Sequence, residues 1–388
     1  MIKRAANEAA LFIAACFKLL LHPAIIMKKI DSYILKKFLT TFFFCLLLFT
    51  TVVVVIDISE KADDFARIKL STWELIKQYY IGFVPHIDAM LFPLFVFISV
   101  IFFTSKMAER SEVIAILSIG VSFRRFLLPY FVGSLLLGGI LWVGYQRVLP
   151  KANEIWGTFQ TKYIDSHGGD PDRTYKSNIY FRIDSNSYAG LRTYDTIQKE
   201  GYNFFIQKFA NNQMIYDLRA DNINWDTAAR KWKLSRAVEH YFNGDKELIQ
   251  RKPTLLINYN FKPQDLRGDE YFKDRLTTPD LKAYITKEQM RGSEIIGTLE
   301  LERYNRDAIP ASVIILTIIA TVLSSRKIRG GSGFHLGIGV IISVLYILCS
   351  RFSVVFAEKG NFTPMLAAWT PNIIFGLLAF YLYKRAPK

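Results

Sequence analysis

The sequence predicts an α+β membrane protein: six transmembrane helices, with a domain of short strands inserted between the third and the fourth. Three observations predict it. Six apolar, uncharged runs are present, and a spanning helix needs about 20 such residues. A polar segment of alternating texture, residues 151–305, separates the third run from the fourth. The net charge of +15 is placed unevenly: that segment carries 24 Lys+Arg against 22 Asp+Glu, a net of +2, which leaves +13 for the apolar ends and their loops. With 51% apolar and 15% aromatic residues, the composition fits a chain part in and part out of a bilayer.

The six runs are Phe38–Ile56, Ala89–Ser105, Phe126–Gln146, Ala308–Ser325, Gly330–Ser350 and Asn361–Tyr383. The second extends back to Gly82 if His86 and Asp88 sit at its aqueous end. Pro85, Pro93, Pro129, Pro310 and Pro371 fall within or near the runs, where neighbouring helices tolerate the kinks.

Basic residues set the orientation. Lys28, Lys29, Lys36 and Lys37 precede the first run, and Lys106, Arg110, Arg124 and Arg125 lie between the second and third. Arg326, Lys327 and Arg329 lie between the fourth and fifth, and Lys384, Arg385 and Lys388 close the chain. Six crossings put all four clusters on one side, the cytoplasm. Both termini are then cytoplasmic, while Lys61–Lys77 and the polar domain face outward.

The domain boundaries read as 1–27, an N-terminal extension; 28–150, the first three helices; 151–276, the β domain; 277–307, a helical connector; and 308–388, the last three helices. The extension has two early basic residues and an apolar stretch but no clear cleavage site. Met27 begins MKKIDSYILKKF, a good inside-facing start, so the extension is either an upstream mis-start or an interfacial helix. In the β domain, NIYFRID places Ile179, Phe181 and Ile183 on one face, and GYNFFIQKF, QMIYDLRADNINWD, KWKLSRAVEHYF and PTLLINYNF follow. Short strands with turn signals suggest a sandwich or a partly open barrel. From Thr277 onward the pattern is helical, with a start signal at Pro279 and Asp280.

The chemistry-bearing residues form no catalytic set. His22, His86, His167, His240 and His335 are scattered, without metal spacing. Cys16, Cys45 and Cys349 lie in apolar stretches and imply neither a disulfide framework nor a zinc site. The glycine-rich RKIRGGSGFHLG lacks the lysine of a phosphate loop and reads as a basic turn. The charge flanks apolar segments instead of covering a polar domain, which argues against nucleic acid. A chain of this kind that moves a substrate draws its energy from another subunit or from an ion gradient. The spans lack the carboxylate relay that an ion-driven transporter needs.

The stretch SEVIAILSIGVSFRRFLLP, between the second and third runs, is the informative one. A helix over residues 106–120 would carry Glu109 and Glu112 near its start, where carboxylates suit the helix dipole, and would stop at Gly120. Val113, Ile116 and Leu117 share one face. Such a helix either rests on lipid or docks in a groove of a cytoplasmic ATPase. Its two acidic groups, beside an anionic lipid surface, favour docking.

Four stretches carry a family resemblance. DSYILKKFLTTFFF leading to DISEKADDF, the SKMAERSEVIAILSIGVSFRRFLLP region, RYNRDAIPASVIILTIIATVLSSRKIRGG and AAWTPNIIFGLLAFYL, in this order, resemble the lipopolysaccharide-export permeases of the LptF/LptG type. The resemblance covers nearly everything from Met27 onward, and it implies an inner-membrane permease subunit of an ATP-driven exporter. It also implies a homologous permease subunit as partner, a cytoplasmic ATPase dimer on the coupling helices, and single-span and periplasmic bridge proteins. Lipopolysaccharide would be drawn from the outer leaflet, and the β domain would be a periplasmic jellyroll. No cofactor is implied in this chain, since the ATP is used by the partner. The DxY start and the helical link before the fourth span look more like the LptG half.

The coupling residues would be Glu109, Glu112, Val113, Ile116, Leu117 and Gly120. An acyl-chain and phosphate substrate calls for an apolar cavity with a basic outer rim. The candidates are Lys61, Arg147, Lys151, Arg303, Arg306 and Arg351. A charge such as Arg351 costs about 2.5–3.5 kcal/mol near the centre of a bilayer and less near its surface, and snorkelling to headgroups is its bland alternative. Asp57 and Asp88 are carboxylates that would lock such cations structurally. Phe42, Phe43 and Phe44 read as packing or lipid-facing. The competing class is a membrane-anchored envelope scaffold or sensor whose β domain binds a partner.

Overall fold

The computed structural model describes residues 28–386 apart from 69, 165–174, 185, 196–197, 211–212, 228, 244–245, 260, 264–265, 267–271, 292–294, 328–330 and 359–361. The readings of residues 1–27, His167, Arg329 and Lys388 lie outside the described residues.

Among these residues the helices are α1 (Lys29–Glu60), α2 (Ala62–Ile68), α3 (Thr72–Glu109), α4 (Glu112–Ser118) and α5 (Phe123–Ile164), then α6 (Phe272–Arg275), α7 (Thr278–Arg291), α8 (Ile296–Ser324), α9 (Gly331–Glu358) and α10 (Pro364–Lys384). Six of them, α1, α3, α5, α8, α9 and α10, are long and apolar enough to cross a membrane. Each takes up one of the six uncharged runs. All five prolines sit inside these helices. α3 starts at a capping box, in which Ser71 and Glu74 satisfy each other's backbone N–H. Asp88 therefore lies well inside α3 and not at its end. Expected as part of the connector, residues 296–307 continue into the fourth span as the single helix α8.

The chain forms two compact units. The first contains α1 and its exit to Ala62, Phe83–Pro150, and the chain from Glu300 onward. Phe38 and Phe42 of α1, Val96 and Val100 of α3, Tyr130 of α5 and Val313 of α8 are fully buried in its core. α1 and α5 approach closely at Gly133, where an added Cβ would sit 2.6 Å from the Phe38 ring. Buried polar groups pair across helices: Thr104 donates to the Tyr130 hydroxyl at 3.0 Å, and Asn372 of α10 donates to the Ala308 carbonyl of α8 at 2.7 Å.

The second unit comprises Asp63–Gly82 and Lys151–Leu299. It holds one six-stranded antiparallel sheet in the order β1-β2-β3-β4-β5-β6, with β1 (Tyr175–Asp184), β2 (Ser187–Asp195), β3 (Glu200–Ala210), β4 (Gln213–Asp226), β5 (Lys231–Asn243) and β6 (Lys246–Ile257). The sheet is inserted between the third and fourth long helices, as predicted. Among the described residues its order is an up-and-down meander, without the crossovers of a jellyroll's two Greek keys. Leu218 and Ile223 of β4 and Trp232 and Leu234 of β5 share one buried core with Phe261, whose carbonyl accepts from the Trp232 indole N–H at 2.9 Å. Pro253 lies in β6, at the edge of the sheet, where a missing N–H costs no ladder bond.

One polar cluster interrupts the buried face. Glu239 is buried; it accepts from the Tyr216 hydroxyl at 2.8 Å and pairs with Lys252 of β6. Burial pushes the Glu239 carboxyl up, but the bonds from Lys252 and Tyr216 outweigh burial and hold it below the ordinary carboxylate range.

Candidate functional site

The site is assembled at the basic end of the membrane unit. α3 continues through Lys106 to Glu109, and the chain then breaks at Ser111, whose φ of 60° is left-handed. No α-helix passes through that conformation. The single helix expected over 106–120 is therefore the end of α3 followed by the separate seven-residue α4. Lys327, from the basic turn after α8, donates to the Ser111 hydroxyl at 2.9 Å. At the other end, the Gly120 N–H donates to the Leu117 carbonyl at 3.0 Å, and Gly120 takes φ 88°, which suits a residue without a Cβ. Ser122 then caps α5 by accepting from the Arg125 N–H.

The structure places the predicted coupling residues on different sides of α4. Val113 is wholly buried in the unit's own core, and Ile116 and Leu117 pack half-buried against the same core. That face anchors α4 to its own unit. Ile114 and Ile119 point outward, at 50% and 79% exposure, with Gly120 and Glu109 exposed beside them. Glu112 is half-buried, with the Tyr33 hydroxyl of α1 at 3.4 Å.

The sequence reading passed over the ties around α4. Asp31 of α1 is buried, accepts from the Lys28 N–H at 2.7 Å and forms an ion pair with Arg125 at the start of α5. Arg124 donates to the Tyr383 hydroxyl of α10 at 3.0 Å, and Arg326 donates to the Arg385 carbonyl. The signal was a DxY before the first span and an Arg-Arg pair after α4. These contacts bring residues from all four basic clusters to one end of the bundle.

The six candidate substrate cations do not form one group. Lys61 pairs with the buried Asp57 at 2.9 Å and lies 5.5 Å from the Phe83 ring. Arg306 is 1% exposed and donates to Glu302 at 3.0 Å. Each pairs with a carboxylate: Lys61 with Asp57, as the alternative of a structural lock had it, and Arg306 with Glu302 instead of Asp57 or Asp88. Arg147 and Lys151 are exposed, Arg303 lies 5.5 Å from the Tyr304 ring, and Arg351 is exposed with Met90 Sδ 3.9 Å away. Phe42 is buried while Phe43 and Phe44 are exposed. Among the described residues no cluster of His, Cys, Asp or Glu could hold a metal ion.

These elements, in this order, match a known family over residues 32–385: the lipopolysaccharide export system permease LptF/LptG. The chain belongs to the LptF/LptG family. The match takes in the six long helices, α4 and the inserted sheet, and it does not separate LptF from LptG. LptF/LptG permeases are the transmembrane subunits of an ABC exporter and are not themselves enzymes. They carry no cofactor, and ATP is hydrolysed by the partner ATPase. No curated protein matches the chain individually.

Proposed function

We propose that this LptF/LptG permease draws lipopolysaccharide from the outer leaflet of the inner membrane and passes it to a periplasmic bridge, driven by an ATPase dimer that docks on α4. The observation that carries this reading is the division of α4 into an anchored face, Val113, and an outward apolar face, Ile114 and Ile119. A helix fixed to its own bundle while offering apolar side chains outward suits a partner's groove. The links from Arg125 to Asp31 supply a path for movement, because they join the start of α5, next to α4, to the start of α1.

The second permease subunit would cover α1 and α9. Only 11% of the apolar stretch of α1 and 17% of that of α9 are buried, against 61% in α3, α5 and α8. Arg147, Lys151, Arg303 and Arg351 are the cations left to meet lipid phosphates; Lys61 and Arg306 serve the fold. The sheet, with β1 and β6 as its edge strands among the described residues, suits strand addition by bridge proteins. Both termini and α4 are assigned to the cytoplasm on the basic clusters, and the sheet to the periplasm. The long α8 and the Asp31/Tyr33 start favour the LptG half.

The test is purification of the tagged chain from native membranes in mild detergent. Recovery of an ATPase and a second six-helix permease, with the ATPase lost in Glu112→Lys at normal permease levels, is the expected result. Recovery of the chain alone, while other membrane complexes stay intact, would return it to the scaffold class.

A further inference from the structure

The turn after α8 and the first turns of α9, RKIRGGSGFHLG in sequence, contain one histidine, His335, to which the export reading gives no role. It is 2% exposed, on a helix with only 17% of its apolar stretch buried. Its Nε2 lies 2.8 Å from the Arg326 carbonyl oxygen. A carbonyl oxygen only accepts, so the ring N–H donates. The other ring nitrogen, Nδ1, is buried with no hydrogen-bond partner among the described residues. A buried polar atom without a partner is costly, and a leucine would fill this place without that cost. Packing alone therefore does not account for a histidine here; the bond to Arg326 does.

The backbone at Arg326 is a junction of helix ends. The Arg326 guanidinium donates to the Arg385 carbonyl at the end of α10, and the next residue, Lys327, donates to the Ser111 hydroxyl at 2.9 Å, in the break before α4. Both side chains are exposed. Long exposed side chains lose much rotamer freedom in holding such bonds. The buried bond from His335 fixes the backbone from which both reach, so less freedom is left to lose.

One turn further along α9, on the face of His335, an added Cβ at Gly339 would meet Ile101 Cδ1 of α3 at 2.4 Å. Another turn on, Ser343 is buried and donates to the Gly339 carbonyl at 2.9 Å. The foot of α9 is thus seated in the bundle along one narrow face, while Phe334, Val340 and Ile341 beside it are exposed.

We propose that His335 is a positioning residue for coupling: by donating to the Arg326 carbonyl it fixes the turn after α8, and so ties the foot of α9 to the start of α4. The inference rests on the reading of α4 as the helix on which the ATPase docks, and it adds a second route from that helix. The Asp31–Arg125 pair reaches α1, and the Ser111–Lys327 and Arg326–His335 bonds reach α9. α1 and α9 are the two least buried of the six long helices. One docking helix is thereby joined to both of the helices that can shift with little repacking.

The test measures lipopolysaccharide exported per ATP hydrolysed by the permease in nanodiscs, purified with its accompanying subunits. A variant that merely lowered the amount of folded complex would lower export and hydrolysis together and leave this ratio alone. His335→Leu should still carry the ATPase, with export per ATP falling about fivefold, the ratio for one lost hydrogen bond. Glutamine offers an amide N–H at a similar reach, so His335→Gln should stay within about twofold of wild type. Lys327→Met cuts the same route at an exposed residue and should fall as His335→Leu does, which keeps the test decisive if His335→Leu folds poorly. An unchanged ratio in Lys327→Met and His335→Leu, or a His335→Gln as impaired as His335→Leu, overturns the proposal and leaves the docking reading intact. An ATPase missing from the wild-type complex overturns the docking reading, and this inference with it.

Discussion

Replacing Ile119 with alanine separates docking from folding. Its side chain is 79% exposed, so nearly all of its apolar surface remains to be buried by a partner. Full burial of an isoleucine is worth roughly 1.5–3 kcal/mol. Truncation should therefore weaken ATPase binding by about 1–2 kcal/mol, roughly tenfold in Kd. Val113→Ala is the contrasting variant, since Val113 is wholly buried in the permease core. It should cost roughly 1–3 kcal/mol of permease stability and leave the affinity of the folded fraction unchanged. The assay is titration of the purified ATPase onto permease immobilised in nanodiscs, with thermal unfolding measured on the same samples. If Ile119→Ala and Ile114→Ala both bind as wild type does, the outward face of α4 is not the docking face. If Val113→Ala weakens binding without lowering stability, the division of α4 into two faces is wrong.

Three further outcomes are expected. Asp31→Asn removes the Asp31–Arg125 ion pair and should lower export severalfold while the ATPase still co-purifies, because the tie to α1 is weakened and the docking face is untouched; loss of the ATPase from the purified complex would contradict this. Glu239 has its carboxyl held below the ordinary range, so it adds stability above its unfolded pKa of about 4.3, and that stability is lost as pH falls through the lower folded value; acid titration followed by tryptophan fluorescence should show Glu239→Gln with a flatter response below pH ~4, and equal slopes would refute it. Gly133→Leu places atoms where the Phe38 ring lies at 2.6 Å, and should cost about 1–3 kcal/mol by overpacking, seen as a lower Tm of the purified permease.

The long helices were legible because a spanning helix must be apolar along its whole length, so a run such as Phe126–Gln146 declares itself without any partner. Five of the six strands were legible from alternation. β2 was missed because Ala189, Leu191 and Tyr194 are buried among small and polar residues that break the pattern. Which face of α4 its own unit buries was not legible for a different reason. Val113, Ile114, Ile116, Leu117 and Ile119 put apolar groups on both sides, and periodicity reports that a face is apolar without saying what covers it. The Glu302–Arg306 pair stood legible at the i,i+4 spacing that helices favour. Asp31 and Arg125 lie 94 residues apart, and no local pattern joins them.

A helix of seven residues does not hold its shape alone in water. α4 exists because Val113 is seated in the core, because Lys327 holds the Ser111 hydroxyl, and because Gly120 closes its last turn. Each of these attachments belongs to the membrane unit, so a load applied to Ile114 and Ile119 cannot be absorbed by α4 bending in isolation. It passes to α3 and α5, which are continuous with α4 on either side, and from Arg125 to Asp31 at the foot of α1. The helix reached by that route is also the least buried of the six, and so the one that can shift with the least disturbance of the core. A strong attachment at its foot and little packing along its length are the two conditions under which a push at the cytoplasmic surface moves a helix far into the bilayer.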